Sequence, residues 1–242
     1  MQSYRKTVIV TGASQGIGAA IVQAFLARGY NVVGTARKAT KSKQLTASDR
    51  LALVDGDIGQ FETAQKVAEL AVTNFGSIDA VVANAGIFLV KPFTEYTIDD
   101  FNVLVSTNLA GFIHITQHAV KQMQAQKTGG SVVAITAALA DNPIAGVTAS
   151  FSMITKGGLE TVTRHLAMEY AKQHIRFNAV APGAVDTPLH ANDSKESLTA
   201  QSPMATISTV EDIASAVVYL TEAHQITGEV LHVDGGAHLG KW

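Results

Sequence analysis

TVIVTGASQGIG, residues 7–18, decides how the rest of the chain is read. Thr7–Thr11 is a short β-branched run of the kind that forms a strand. It passes directly into Gly12, Gly16 and Gly18, and a helical pattern follows over Gly18–Ala27. Between a strand and a helix, such glycines permit a tight turn and let the backbone approach a pyrophosphate at the helix N-terminus. A glycine pattern alone is weak support, because a plain strand-to-helix turn accommodates it equally well. Its position at the first strand of an alternating chain favours nucleotide binding.

Working outward, further short apolar runs predict strands at Asn31–Thr35, Leu51–Val54, Ile78–Ala83, Ser131–Thr136, Ile175–Ala181 and Val230–Val233. Most are apolar on both faces, as in strands covered on both sides. Helical patterns occupy Phe61–Asn74, Ile98–Ala125, Thr155–Lys172 and Val210–Leu220. This alternation predicts one α/β domain spanning residues 1–242, a doubly wound parallel sheet of about seven strands with helices on both faces. No internal repeat or low-complexity linker divides it. The long polar segment 186–209, DTPLHANDSKESLTAQSPMATIST, lacks strong periodicity. A segment of that length fits a substrate lid or a disordered surface loop.

Composition narrows the function. Of 242 residues, 47% are hydrophobic and 16% charged, which suits a compact soluble domain. A formal net charge of −2 gives no reason to expect a nucleic acid or anionic membrane partner. The absence of cysteine excludes disulfides and thiolate metal sites. MQSYRKTVIV runs straight into a strand, which predicts no signal peptide, and no apolar run approaches the roughly 20 residues of a membrane span. A cytoplasmic protein is expected. His114 and His118 have the i, i+4 spacing of a helix face, but no carboxylate accompanies them as a metal set would require.

The second strand carries the next discriminator. About 20 residues beyond the glycine turn, an acidic side chain would hold the ribose 2′-hydroxyl of NAD. Here Ala36 stands at that place, followed by Arg37 and Lys38. A cationic pocket without a carboxylate suits the 2′-phosphate of NADP, which arginine binds in forked geometry. A solvated Arg-Lys pair would read the same way, so the missing acid is the stronger half. NADP is favoured over NAD.

At this point the chain resembles the short-chain dehydrogenase/reductase family, through ordered motifs over essentially its whole length. TGASQGIG resembles the family's cofactor turn, which implies contacts from Gly12, Ser14, Gln15, Gly16, Ile17 and Gly18. Asp57 and Ile58 resemble its adenine-contacting pair. N-A-G-I at 84–87 resembles the motif after the fourth strand, with Asn84, Ala85 and Gly86 near the cofactor. A-P-G-A-V-D-T-P at 181–188 resembles the nicotinamide loop, which implies Pro182, Gly183, Val185 and Thr187. G-E-V-L-H-V-D-G-G at 228–236 resembles the last strand and its turn. The resemblance implies a Rossmann fold and hydride transfer between NAD(P) and a small carbonyl or alcohol. It also implies a homo-oligomer, usually a tetramer, packed through about 98–125 and 155–172.

The family's chemistry uses a tyrosine as acid–base, a lysine four residues later, a serine on the substrate oxygen and an asparagine anchoring a water chain. Asn108 and Lys156 match the last-named asparagine and the lysine. The serine position falls on Ala137, after Thr136, and the tyrosine position on Ser152. Phe151 is one residue, or about 100° of helix, out of register with Lys156. A serine hydroxyl is shorter and far less acidic than a phenol near pKa ~10. Asn108, Lys156 and Ser152 are the catalytic candidates, with His190, Asp141 and Thr136 as spare acids or donors. Two functions fit: an NADP(H)-dependent oxidoreductase with weak or atypical proton donation, or a catalytically silent NADP-binding sensor or partner subunit. Asn108 favours the first, since nucleotide binding alone does not need it.

Overall fold

The computed structural model describes residues 5–191 and 193–240. Seven strands form one all-parallel sheet: β1 (Thr7–Thr11), β2 (Asn31–Ala36), β3 (Leu51–Asp55), β4 (Ala80–Ala83), β5 (Gly130–Ile135), β6 (Ile175–Pro182) and β7 (Val230–Val233). Their order is β3-β2-β1-β4-β5-β6-β7, the doubly wound arrangement. Seven helices connect them: α1 (Gly16–Ala27), α2 (Phe61–Phe75), α3 (Ile98–Leu104), α4 (Gly111–Gln126), α5 (Ser150–Tyr170), α6 (Lys195–Thr199) and α7 (Val210–Glu222).

Period-two alternation divides each strand between two cores. Ile9, Val81, Val132 and Phe177 pack with Val67 of α2, Ile115 of α4 and Leu159 of α5. Val8, Val10, Val82 and Val180 pack with Val22 and Phe25 of α1 and Val217 of α7 on the opposite face. Every residue of β1 is buried, which explains its continuous apolar reading. Local chemistry fixes several ends. Thr97 and Thr209 make capping boxes with Asp100 and Asp212 at the starts of α3 and α7, and Gly76 ends α2 in the left-handed conformation.

Three expectations need correction. The pattern Ile98–Ala125 predicts one helix, but π-helical turns over Val105–Ala110 separate α3 from α4. Those wider turns carry Asn108, whose side chain is bonded inward rather than along the helix. The helix expected from Thr155 begins at Ser150, because Ser152 belongs to the same buried face as Lys156. The segment 186–209 contains α6, capped by Ser194 and anchored by buried Leu198.

The glycine turn has its tolerances set by packing. Gly12 adopts φ +65°, and a Cβ at Gly18 would collide with the Gly12 carbonyl oxygen and with Asn84 Nδ2. Because backbone cannot move aside as a flexible side chain can, Gly18→Ala is expected to lower stability by about 1–3 kcal/mol. A urea melt reads this as an earlier midpoint.

Candidate active site

Reversal of strand order between β1 and β4 leaves a crevice at their carboxyl ends, where ligands of open α/β sheets bind. Its two bordering turns are cross-linked. Thr11 Oγ1 accepts hydrogen bonds from the backbone N–H groups of Asn84 (3.1 Å) and Ala85 (2.9 Å). Asn84 Nδ2 donates to the carbonyls of Thr11 (3.0 Å) and Gly12 (3.2 Å). The crevice opens into a cleft of about 800 Å³.

Gly12, Gln15, Gly16, Ile17, Gly18, Asn84, Ala85, Gly86, Lys156, Pro182, Gly183, Val185 and Thr187 line it. Sequence motifs far apart in the chain therefore converge on one cavity. Ser14, Arg37, Lys38, Asp57 and Ile58 fall outside this lining, around the ends of β1, β2 and β3. Arg37 and Lys38 are exposed and make no ion pair among the described residues. Asp55 lies in register with Ala36 on the next strand, but Thr40 N–H (2.8 Å) and Oγ1 (2.6 Å) donate to its two carboxylate oxygens. Asp57 accepts from Gly59 N–H at 2.9 Å, and Ile58 is buried.

Lys156 is buried on α5, and its Nζ donates to the Ile135 carbonyl at 2.7 Å. Burial without an acidic partner pushes its amine down to about 8. Asn108 lies behind the cleft wall. Its Oδ1 accepts from Ile87 N–H (2.8 Å), while Nδ2 donates to the Ile87 carbonyl (3.0 Å) and Thr155 Oγ1 (2.9 Å). It thus clamps the turn after β4 onto α5.

Ser152 does not join Lys156 in the cleft, despite sharing its helix face. It is fully buried, and its Oγ accepts from Leu89 N–H (2.8 Å) and donates to the Leu89 carbonyl (3.0 Å). Both functions of the hydroxyl are committed to the Leu89 backbone, outside the cleft lining. Phe151 turns away into an aromatic cluster, stacked on Tyr96 at 4.2 Å with Phe93 and Phe101 edge-on.

Of the spare candidates, Thr136 and His190 line the cleft and Asp141 does not. Thr136 Oγ1 donates to the Val180 carbonyl at 3.3 Å. Asp141 sits 3.1 Å from His232 Nε2, and His232 stacks on His238. His190 Nδ1 lies 2.6 Å from Asp193 Oδ2, and Asp193 also lines the cleft. Sequence reading missed Asp193, because a pair three residues apart in a segment without periodicity carries no pattern. It also missed Glu160, one turn beyond Lys156. Burial raises its carboxyl pKa. Phe88, Val90, Leu139, Ile144, Val147 and Leu189 add an apolar part to the cleft lining. Among the described residues no group of three or more His, Asp or Glu could hold a metal ion, and no helix is long and apolar enough to cross a membrane.

Comparison with known proteins agrees with this geometry. The family model described as enoyl-(acyl carrier protein) reductase matches residues 12–238. The chain is 32% identical over 250 residues to 3beta-hydroxysteroid dehydrogenase 1 of Eggerthella lenta, covering 97% of this chain and 94% of that one. It is 33% identical over 244 residues to the 3-oxoacyl-(acyl-carrier-protein) reductase of Salmonella typhimurium, covering 97% and 98%. Among solved structures, ElxO with NADP bound superposes with a TM-score of 0.89 at 29% identity, covering 96% and 98%. The 3-ketoacyl-(acyl-carrier-protein) reductase of Brucella melitensis, complexed with NADH, gives 0.90 at 27% identity, covering 98% and 100%. End-to-end relatives of this kind, on a sheet with this switch-point cleft, show that the chain belongs to the short-chain dehydrogenase/reductase family.

Proposed function

We propose that the protein is an NADP(H)-dependent oxidoreductase that interconverts a carbonyl and an alcohol without the family's serine and tyrosine hydroxyls. The observation that carries this reading is the convergence of the glycine turn and a buried, carboxylate-free Lys156 on one cleft. The residues present fit a nicotinamide dinucleotide. Gly12, Gly16 and Gly18 leave no side chain between backbone and cleft, and α1 begins at Gly16 with its N-terminal N–H groups available to a pyrophosphate. Arg37 and Lys38, with Asp55 already engaged by Thr40, favour NADP over NAD.

When bound, the cofactor supplies or accepts a hydride. The remaining work falls to side chains of this chain. Lys156 presents an amine at the cleft wall where ribose hydroxyls can accept from it. Asn108 fixes the Ile87 backbone, and with it the turn that borders the reacting face. Ala137 lines the cleft with a methyl group where the family's pattern would put a hydroxyl. Missing one such donor lowers rates by about 10²–10³. Exposed Ile113 on α4 and Ile154 and Met168 on α5 support a homo-oligomer packed through these helices.

The oxidoreductase reading stands against a silent NADP-binding subunit. NADPH oxidation with a panel of alicyclic ketones and aryl aldehydes separates them: turnover is expected, and its absence in a protein that binds NADPH would favour the silent subunit. For cofactor choice, the double variant Arg37→Ala/Lys38→Ala is expected to weaken NADPH binding by at least about tenfold, since a lost charged hydrogen bond is worth ~1.5–3 kcal/mol. NADH binding stays unchanged, and fluorescence titration reads both.

Lys156 carries a further expectation. Its folded pKa of about 8 lies below the ordinary 10.5. Between these values the unfolded lysine keeps a proton that the folded one has released, so stability rises with pH across that window and the penalty is complete below it. The shift is worth about 3 kcal/mol, against roughly 1 kcal/mol for the bond to Ile135. Lys156→Met should therefore stabilise the cofactor-free protein by about 2 kcal/mol at neutral pH. In urea melts the gap closes toward pH 10 while NADPH affinity falls.

A further inference from the structure

Any carbonyl reduction needs a proton as well as a hydride. Aspartate, glutamate, histidine, lysine and tyrosine are the usual side chains that deliver one. Only three of these residues line the described cleft: Lys156, His190 and Asp193. Lys156 Nζ spends one N–H on the Ile135 carbonyl and offers the others to the ribose hydroxyls. Asp193 is engaged with His190 Nδ1 at 2.6 Å. His190 Nε2 makes no hydrogen bond among the described residues, and its side chain is 24% exposed, neither sealed in protein nor free in solvent. With Nδ1 donating to the Asp193 carboxylate, the ring is held in one orientation and Nε2 is the nitrogen left to exchange a proton. A carboxylate holding one imidazole nitrogen while the other does chemistry is a general acid–base arrangement.

The location fits as well. His190 follows Thr187 and Pro188, which face the glycine turn: a Cβ at Gly16 would stand 3.6 Å from the Thr187 side chain and 3.7 Å from Pro188. The imidazole is therefore carried by the same short stretch that closes over the end of α1, on the wall of the cleft that also contains Lys156 and Ala137. We infer that His190, oriented by Asp193, is the proton donor in reduction and the proton acceptor in alcohol oxidation. The inference rests on the oxidoreductase reading above.

The balance is simple. In reduction, with the cofactor bound, the carbonyl carbon would gain the hydride and its electron pair that the cofactor supplies. The C–O π pair moves to oxygen, which takes the proton from His190 Nε2. The electron pair of that N–H bond stays on the ring, which keeps its Nδ1 proton, and a proton taken up from bulk solvent restores Nε2–H. Oxidation runs the same steps backward. Asp193 acts as a positioning residue.

The test compares wild type, His190→Ala, His190→Gln and Asp193→Asn, as full-length proteins with NADPH and the same ketone and aldehyde panel. NADPH affinity is measured separately by fluorescence titration. The two His190 variants should lose at least about 10² in kcat, the ordinary contribution of a positioned acid. Their NADPH affinity should match wild type, and added imidazole should restore part of the rate to His190→Ala but none to a fold-damaged control. Asp193→Asn should lower kcat rather than raise KM. In labelled-histidine NMR of the cofactor-free protein, it should also shift the one imidazole resonance that His190→Gln removes. Rates of the His190 variants near wild type, with normal NADPH binding, would overturn the inference and leave the oxidoreductase reading standing. An unshifted resonance in Asp193→Asn would overturn the pairing. A wild type that binds NADPH yet turns over nothing would overturn the oxidoreductase reading and this inference with it.

Discussion

The cross-link between the turns after β1 and β4 is the constraint on which the rest depends. One side chain, Asn84, ties its own strand to the carbonyls of Thr11 and Gly12, and Thr11 answers by holding two N–H groups of the opposing turn. These groups sit where the strand order reverses, past the ends of β1 and β4, so no strand ladder can satisfy them. Paired with each other, they hold the crevice open at fixed width and let the backbone itself form its floor. Gly18 must then approach the Gly12 carbonyl more closely than any Cβ permits. The glycine pattern and the asparagine are two halves of one packing problem.

A second tension runs through α5. Its buried face carries Ser152, Lys156 and Glu160 one turn apart, an unusual row of polar groups against a sheet. Two are explained by partners: Ser152 clamps Leu89, and Lys156 holds the Ile135 carbonyl. Neither partner neutralises the amine. A buried cation without a counter-charge is destabilising, and folds keep such groups where a ligand makes use of them. Lys156 is thus better accounted for by what enters the cleft than by what surrounds it in the folded chain.

These features differ in how far the sequence displayed them. The parallel, doubly covered sheet was legible because most strands are apolar on both faces and the helices between them are periodic. The glycine turn was legible because backbone geometry demands glycine there, and N-A-G-I and A-P-G-A-V-D-T-P through their resemblance to the family's motifs. The interruption at Val105–Ala110 was not, since a π-helical turn shifts the apolar stripe without breaking it. The surroundings of Ser152 were not legible, because i, i+4 spacing gives a shared face but not a shared direction: the short hydroxyl finds the Leu89 backbone before it reaches the cleft. Phe151 was legible, its offset of one residue being enough to send it into the aromatic cluster with Tyr96.

His190 and Asp193 fall in the stretch that sequence patterning read least well, and their placement has a chemical consequence. An acid rooted in α5 would be held by a long helix and stay fixed whatever the substrate. An acid carried on the segment that follows Thr187 is fixed by only a short turn, the bond to Asp193 and the packing of α6 through Leu198. The residues that shape the apolar part of the cleft, Leu189 and Leu198 among them, are its near neighbours in the chain. Substrate fit and proton delivery would then be set by the same few residues. A substrate whose apolar body seats that segment also positions the imidazole, whereas one that does not gains neither contact nor proton. Selectivity in such a cleft would appear in kcat as well as in KM, because poor substrates lose the transition-state contribution along with the binding contribution.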